Sequence, residues 1–282
     1  MSVKLSIVTI NFNDAAGLRK TLQSVAEQTC KEFEHVIIDG GSKDDSKSVI
    51  EEYARKADYS VVWVSEPDNG IYNGMNKGLK KATGDYIQIL NSGDMLAAAN
   101  VVERMMQALK DNDYPNMLFG NMIKAMPDGR LLVDRVNKGS MYNPSSFLYF
   151  YKGTMNHDSV YIRRELFDKY GLYDEQMKIC SDWKWFVDAV AIGGERPVYV
   201  DIDVTIFDMG GVSESGGKNK DLIARERRDY LQKVVPASVL SDYDNFSFAV
   251  FQYQRLKKHH LWGLVNFIER ILFKLEKWRI IR

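Results

Sequence analysis

Cysteine is scarce in this chain. Only Cys30 and Cys180 occur in 282 residues, too few for a disulfide framework and in keeping with a reducing compartment. Long apolar runs are missing too: no uninterrupted stretch approaches the roughly 20 residues that span a bilayer as a helix. The opening MSVKLSIVTINFN lacks the extended apolar core and small-residue cleavage site of a signal peptide, so the expected location is cytoplasmic. Nor is there an excess of either charge, since 38 Lys and Arg balance 38 Asp and Glu. A nucleic-acid binder usually carries a basic surplus, and no nucleic-acid partner is expected. Two phosphate-binding signatures are also absent. Without GxGxxG after the first strand a dinucleotide dehydrogenase is disfavoured, and without GxxxxGKS or GxxxxGKT so is a P-loop protein.

What is present is an ordinary core-forming composition, 45% hydrophobic and 27% charged, arranged as alternating strand and helix signals. Leu5 to Ile10 is a β-branched apolar run suited to a strand buried on both faces. Asp14 can cap a helix carrying Leu18, Leu22 and Val25 at helical spacing. His35 to Ile38 repeats the strand signal, and Asp44, Asp45 and Ser46 offer caps for a helix to about Ala57. Val61 to Val64 predicts a third strand, 71 to 82 a helix, and Tyr86 to Leu90 a fourth strand. This alternation implies an α/β fold with a largely parallel sheet and right-handed crossovers, whose ligands sit at the carboxyl ends of the strands.

The residues following those strands are Asn11 and Asn13, then Asp39-Gly40-Gly41-Ser42, Glu66-Pro67-Asp68-Asn69-Gly70, and Asn91-Ser92-Gly93-Asp94. All combine hydrogen-bonding or acidic groups with turn formers. With no P-loop to neutralise phosphates, a metal held by Asp94 is the natural candidate. The second half is less regular. Pro127-Asp128-Gly129 predicts a hairpin between 122–126 and 131–133. A strand is expected at Val160 to Arg163, a helix capped by Ser181 from there to Ile192, and a helix from Lys220 to Val234 ending before Pro236. Two Gly-Gly pairs at 210–211 and 216–217 bracket an expected flexible loop.

Four segments, SIVTINFN, HVIIDGGSKDDS, EPDNGIYNGMNKGLKKATGDYIQILNSGD and NHDSVYIRRELFDKYGLYDEQMKICSDW, span roughly residues 5 to 185. In this order and spacing the chain resembles the family-2 glycosyltransferases of GT-A fold, in particular the branch that builds bacterial exopolysaccharide, capsule and O-antigen units. The resemblance implies a Rossmann-like GT-A domain that moves a sugar from a nucleotide-sugar donor, a UDP-sugar first of all, to a hydroxyl of a saccharide acceptor with inversion. It implies that Asp39 accepts a hydrogen bond from the pyrimidine imide, a fit for an acceptor-only carboxylate, and that Ile10 and Phe12 line the base and ribose pocket. Asn69, Gly70 and Asn76 fall where the chain passes the donor diphosphate, and His157 near the phosphates or the acceptor. Asn91-Ser92-Gly93-Asp94 occupies the place of the family's metal motif, so Asp94 is the expected ligand of Mn²⁺ or Mg²⁺, with Asn91 at the usual first acidic position. Asp182 stands at the catalytic-base position, where a carboxylate takes the acceptor's proton. Trp183 is placed to shape a sugar platform, Trp185 is read as core, and Ser213 belongs to a lid segment.

From Arg255 to Arg282 eight basic residues face two acidic ones, a net +6 that the remaining residues balance with −6. Leu264, Val265, Ile268, Leu272 and Leu275 share one helical stripe, widened by Trp262, Phe267, Phe273 and Trp278, with Arg270, Lys274 and Lys277 opposite. Such a helix suits an anionic membrane surface, or packing on the catalytic domain or a second subunit of a homo-oligomer. A GT-A domain over 1–215 and a C-terminal helical extension over 216–282 are expected. Membrane attachment would fit an acceptor carried on a polyprenyl diphosphate. The competing readings are a nucleotidyltransferase, which would need a basic Gly-rich loop where NFNDAAG stands, and an inactive nucleotide-sugar-binding or scaffolding subunit.

Overall fold

The computed structural model describes residues 4–126, 128–134, 145–209 and 219–277. The first strand, β1 (Leu5–Asn11), is buried along its whole length. It is flanked in parallel by β2 (Phe33–Asp39) and β4 (Tyr86–Ile89), and β3 (Ser60–Ser65) pairs in parallel with β2. The connecting helices are α1 (Ala15–Ala26), α2 (Ser46–Lys56) and α3 (Ile71–Lys81). Asp14 caps α1 by accepting from the Gly17 amide at 2.9 Å. The Asp44 carboxylate accepts from the Ser46 amide at the start of α2. These elements agree with the sequence reading to within a residue or two. Leu5, Ile7 and Val8 are completely buried, each contributing about 1.5–3 kcal/mol of apolar transfer energy.

The sheet then changes character. After the short β5 (Met95–Leu96) and α4 (Val101–Asp111), β6 (Met117–Ala125) forms the expected hairpin with β7 (Leu131–Asp134). A single-turn helix α5 (Phe147–Lys152) and a turn at His157–Ser159 lead into β8 (Val160–Arg163), which runs antiparallel between β4 and β6. Two short helices, α6 (Glu165–Tyr170) and α7 (Ser181–Phe186), precede β9 (Val198–Asp208), which lies parallel to β6. The strand order is β3-β2-β1-β4-β8-β6-β9-β5. Register shifts around Asn121 bend the β6–β9 ladder. There Gly120 lies so close to the facing strand that a Cβ would meet the Ile202 carbonyl oxygen; only a residue without a side chain fits.

Two expectations need correction. Ser181 does not cap α7: its hydroxyl instead accepts from the Asp174 amide at 2.5 Å. Past Phe186 the helix widens into a π-type segment, Val187–Ile192, rather than continuing as an α-helix. Leu231 on α8 (Lys220–Val234) and Leu240 on α9 (Ala237–Lys258) are buried in the main core. The exposed apolar surface gathers further on, at α10 (Trp262–Lys277), where Leu264, Phe267, Ile268, Leu272 and Phe273 are all more than 40% exposed.

Candidate active site

Asp39 ends β2 and is fully buried. Its Oδ1 accepts from Asn11 Nδ2 at 2.8 Å and Ser42 Oγ at 2.5 Å. Its Oδ2 accepts from Ser65 Oγ at 2.7 Å and the Ser42 amide at 3.0 Å. Burial raises the carboxyl's proton affinity, but the donors of Ser42, Ser65 and Asn11 outweigh it and hold the group below its ordinary value. All four lone-pair positions are thus used within the protein. A base N–H can reach this carboxylate only by displacing a rotatable hydroxyl such as Ser65. Ile10 is 8% exposed beneath this corner, while Phe12 is 63% exposed above it.

Asp94 is nearly buried at the end of the Asn91–Asp94 turn, and its Oδ1 accepts from the Asp208 amide at 2.9 Å. Burial first, then the neighbouring Asp158 and Asp208 carboxylates, push its proton affinity up to about 9. Among the described residues no donor reaches its second carboxylate oxygen. The turn borders a cavity of about 270 Å³ lined by Lys20, Gly93, Met95 and Asp208. Among the described residues no three His, Cys, Asp or Glu side chains converge into a metal cage. The donor set nevertheless fits a hard divalent cation that takes one or two carboxylates and completes its shell with phosphate and water. Asp94, with a free oxygen and crowding negative charge, is that kind of ligand.

Asp182 is the second residue of α7 and its side chain is 15% exposed. Oδ1 lies 2.9 Å from the Tyr72 hydroxyl, whose one proton is shared with the Ile179 carbonyl at 2.5 Å. Oδ2 lies 3.0 Å from His157 Nδ1. Burial raises this carboxyl, but the hydrogen bond and charge of His157 more than offset it, and the net shift is downward. His157 Nε2 in turn approaches Asp158 Oδ1 at 3.1 Å. That contact lacks hydrogen-bond alignment, because both Asp158 oxygens are buried without a donor. Burial opposes a charge on the imidazole, yet Asp158 and Asp182 together raise its proton affinity well above the ordinary value. An imidazolium has N–H on both nitrogens. The Asn91 amide, 3.0 Å from Nε2 and with a buried, donorless Oδ1, is therefore best assigned with its oxygen facing the ring.

His157 and Asp182 share the wall of a cavity of about 410 Å³ with Trp183, Cys180 and Arg227. The remaining expected residues distribute unevenly. Gly70 takes φ +117°, a conformation that favours glycine, at the entry to α3, with open space where a side chain would project. Asn69 is exposed, its amide donating to Asn73 Oδ1. Asn76 is buried. Its amide binds the Tyr173 carbonyl and Glu175 Oε1, and its oxygen accepts from the Tyr173 amide, so all of its hydrogen bonds fasten α3 to the loop before Asp182. Trp183 is not an open sugar platform. It is 1% exposed, donates to the Phe150 carbonyl, and has Arg227 Cζ 5.0 Å over its ring. Trp185 is core, as expected. Ser213 lies outside the described residues. Tyr72, Asp158, Glu226 and Arg227 were not singled out from the sequence; Tyr72 and Asp158 lie within motif segments, whereas nothing in RERRDY marks the other two.

Comparison with known proteins agrees with this architecture. The profile of Glycosyl transferase family 2 matches residues 6–171. An uncharacterized glycosyltransferase of Mycobacterium tuberculosis is 32% identical over 209 residues, covering 74% of this chain and 76% of its own. The PGL/p-HBAD biosynthesis glycosyltransferase of Mycobacterium bovis is 26% identical over 211 residues, covering 74% and 79%. Among solved structures, the 1-349 fragment of S. aureus TarS in complex with UDP superposes with TM-score 0.58 at 22% identity, over 79% of this chain and 65% of that one. The mannosyltransferase PcManGT of Pyrobaculum calidifontis, in complex with GDP-Man and Mn²⁺, gives 0.61 at 15% identity over 93% and 73%. The fold and site thus define a glycosyltransferase of GT-A architecture. The chain belongs to glycosyl transferase family 2.

Proposed function

We propose that this protein is an inverting hexosyltransferase that uses a UDP-sugar donor and a saccharide acceptor in surface-polysaccharide assembly. The observation that carries the reading is the Asp182 carboxylate, charged and oriented by His157 and Tyr72 on the wall of a cavity. In the reaction the acceptor hydroxyl oxygen forms a bond to the anomeric carbon as the bond from that carbon to the diphosphate oxygen breaks. The electron pair leaves with the nucleoside diphosphate, and the hydroxyl proton passes to Asp182. Asp94 would hold Mn²⁺ or Mg²⁺, which when bound offsets charge on the departing diphosphate. Asp39 reads the base once a neighbouring hydroxyl yields its place. Complexes of structural neighbours with UDP and with GDP-Man and Mn²⁺ support a nucleotide-sugar donor.

The exposed apolar side of α10 and the basic C-terminal segment support attachment to an anionic membrane surface, where a polyprenyl-diphosphate-linked acceptor would be presented. Among the described residues no helix is long and apolar enough to cross a membrane, so the contact proposed is peripheral. The test of the activity is transfer from a panel of UDP-sugars to saccharide acceptors, with and without Mn²⁺, and the product's anomeric configuration by NMR. Inversion with a requirement for acceptor supports the reading. UDP binding without transfer or donor hydrolysis favours the inactive binding subunit instead.

A further inference from the structure

The helix α8 is fastened to the segment that leads into Asp182. Glu226 accepts from the amides of Lys178 at 2.7 Å, Cys180 at 3.0 Å and Ile179 at 3.1 Å. The next residue, Arg227, lines the cavity that Asp182 and His157 also line. Its Cζ lies over the Trp183 ring, and its Nε is buried without an acceptor. No carboxylate pairs with it among the described residues. The one acidic side chain on that cavity wall, Asp182, is already engaged by His157 and Tyr72. A guanidinium cannot shed its charge, and stacking on an indole offsets only part of the cost of half-burying it unpaired. The cavity wall therefore carries a guanidinium that no carboxylate among the described residues neutralises. Asp39, Asp94, Asn11 and Phe12, the donor-side residues, do not line it.

We propose that Arg227 receives an oxyanion carried by the acceptor, a phosphate or a carboxylate on the sugar, and so restricts this transferase to anionic acceptors. The inference rests on the transferase reading, in which the acceptor approaches Asp182 from this cavity. Arg227 is a specificity-determining residue; it takes no part in the bond changes. Its fork of N–H donors suits bidentate capture of either oxyanion.

The experiment uses the full chain saturated with UDP and Mn²⁺, so that the donor site is filled. Binding of glucose, glucose 1-phosphate and glucuronic acid is followed by ligand-observed NMR titration. Both anionic probes should bind, and glucose should not. Arg227→Gln should weaken the anionic probes about 10- to 100-fold, the loss of one charge-assisted pair. Arg227→Lys should recover part of that loss, and both variants should keep wild-type UDP affinity and melting temperature. Preference for only one anion names the natural oxyanion and supports the proposal. Equal binding of glucose and the anions would overturn it, as would an unchanged Arg227→Gln variant. A loss of UDP affinity matching the loss of the anions would also overturn it by assigning Arg227 to the donor diphosphate. Should the wild type fail to bind UDP at all, the transferase reading itself falls, which the first titration reports separately.

Discussion

Replacing Asp182 with Asn removes one proton acceptor while leaving the shape of the side chain almost unchanged. In the wild type the two carboxylate oxygens face different donors, Tyr72 at 2.9 Å and His157 Nδ1 at 3.0 Å. The amide oxygen of Asn can serve one of them, and its NH₂ must then face the other. If the NH₂ faces His157, Nδ1 can accept once the ring is neutral. Loss of the Asp182 charge favours that neutral ring, because Asp182 is one of the two groups that raise its proton affinity. The tertiary structure should survive at a cost of about 1–3 kcal/mol, the range for a mismatched buried hydrogen bond. Catalysis should not survive. Loss of general-base assistance lowers transfer roughly 10²- to 10⁴-fold, or about 3–5 kcal/mol in the barrier. The assay is initial-rate transfer from a UDP-sugar, alongside calorimetry of UDP with Mn²⁺, which should be close to wild type. Transfer at near wild-type rate removes Asp182 from the mechanism, and a product of retained anomeric configuration removes the single displacement.

Asp94→Ala should abolish the Mn²⁺-dependent part of UDP binding in calorimetry while the protein stays folded; unchanged metal dependence would refute the ligand assignment. Asp39→Ala should weaken UDP by about 1.5–3 kcal/mol with and without metal. It should also lower the melting temperature, because Asn11, Ser42 and Ser65 all lose their acceptor. His35 is fully buried between Thr9 and Tyr53, and burial pushes its pKa down from 6.5 to about 3. The unfolded chain therefore takes up the proton first. The stabilisation is complete above pH 6.5 and is lost as pH falls toward 3, by about 1.4 kcal/mol between pH 7.5 and 5.5. Urea unfolding of wild type and His35→Gln at these two pH values should show that difference, and parallel losses would refute it. Truncation after Lys258 removes α10 yet keeps the Arg228–Asp244 pair at 2.8 Å; it should end sedimentation with anionic liposomes and spare donor hydrolysis, whereas an unfolded product would favour packing over membrane contact.

Much of this protein follows from local signals. The run Leu5 to Ile10, the Asp14 cap and the periodicity of α1 identify their elements because a continuous β-branched apolar run and a helix's period of 3.6 are written into adjacent residues. The placement of Asp39, Asp94 and Asp182 at loop or helix starts is legible for the same reason, together with the motif segments around them. What each side chain touches is a different matter. Asn76 reads as a polar residue near the diphosphate, yet the approach of the Tyr173–Glu175 loop takes up both of its amide donors and one of its acceptor positions. Trp183 reads as part of a sugar platform until Arg227, 44 positions later, covers its ring. The close approach of β6 to its neighbour at Gly120 answers to the Ile202 carbonyl, a contact between strands far apart in the chain. Charge states belong to this second kind as well. His157 is an ordinary histidine in the sequence, and only the chain's return brings Asp182 beside it. Local periodicity and turn chemistry are thus determined by neighbours along the chain. Burial, hydrogen-bond saturation and electrostatic coupling are determined by neighbours in space, and for this protein those decide which of the conspicuous residues can meet a ligand.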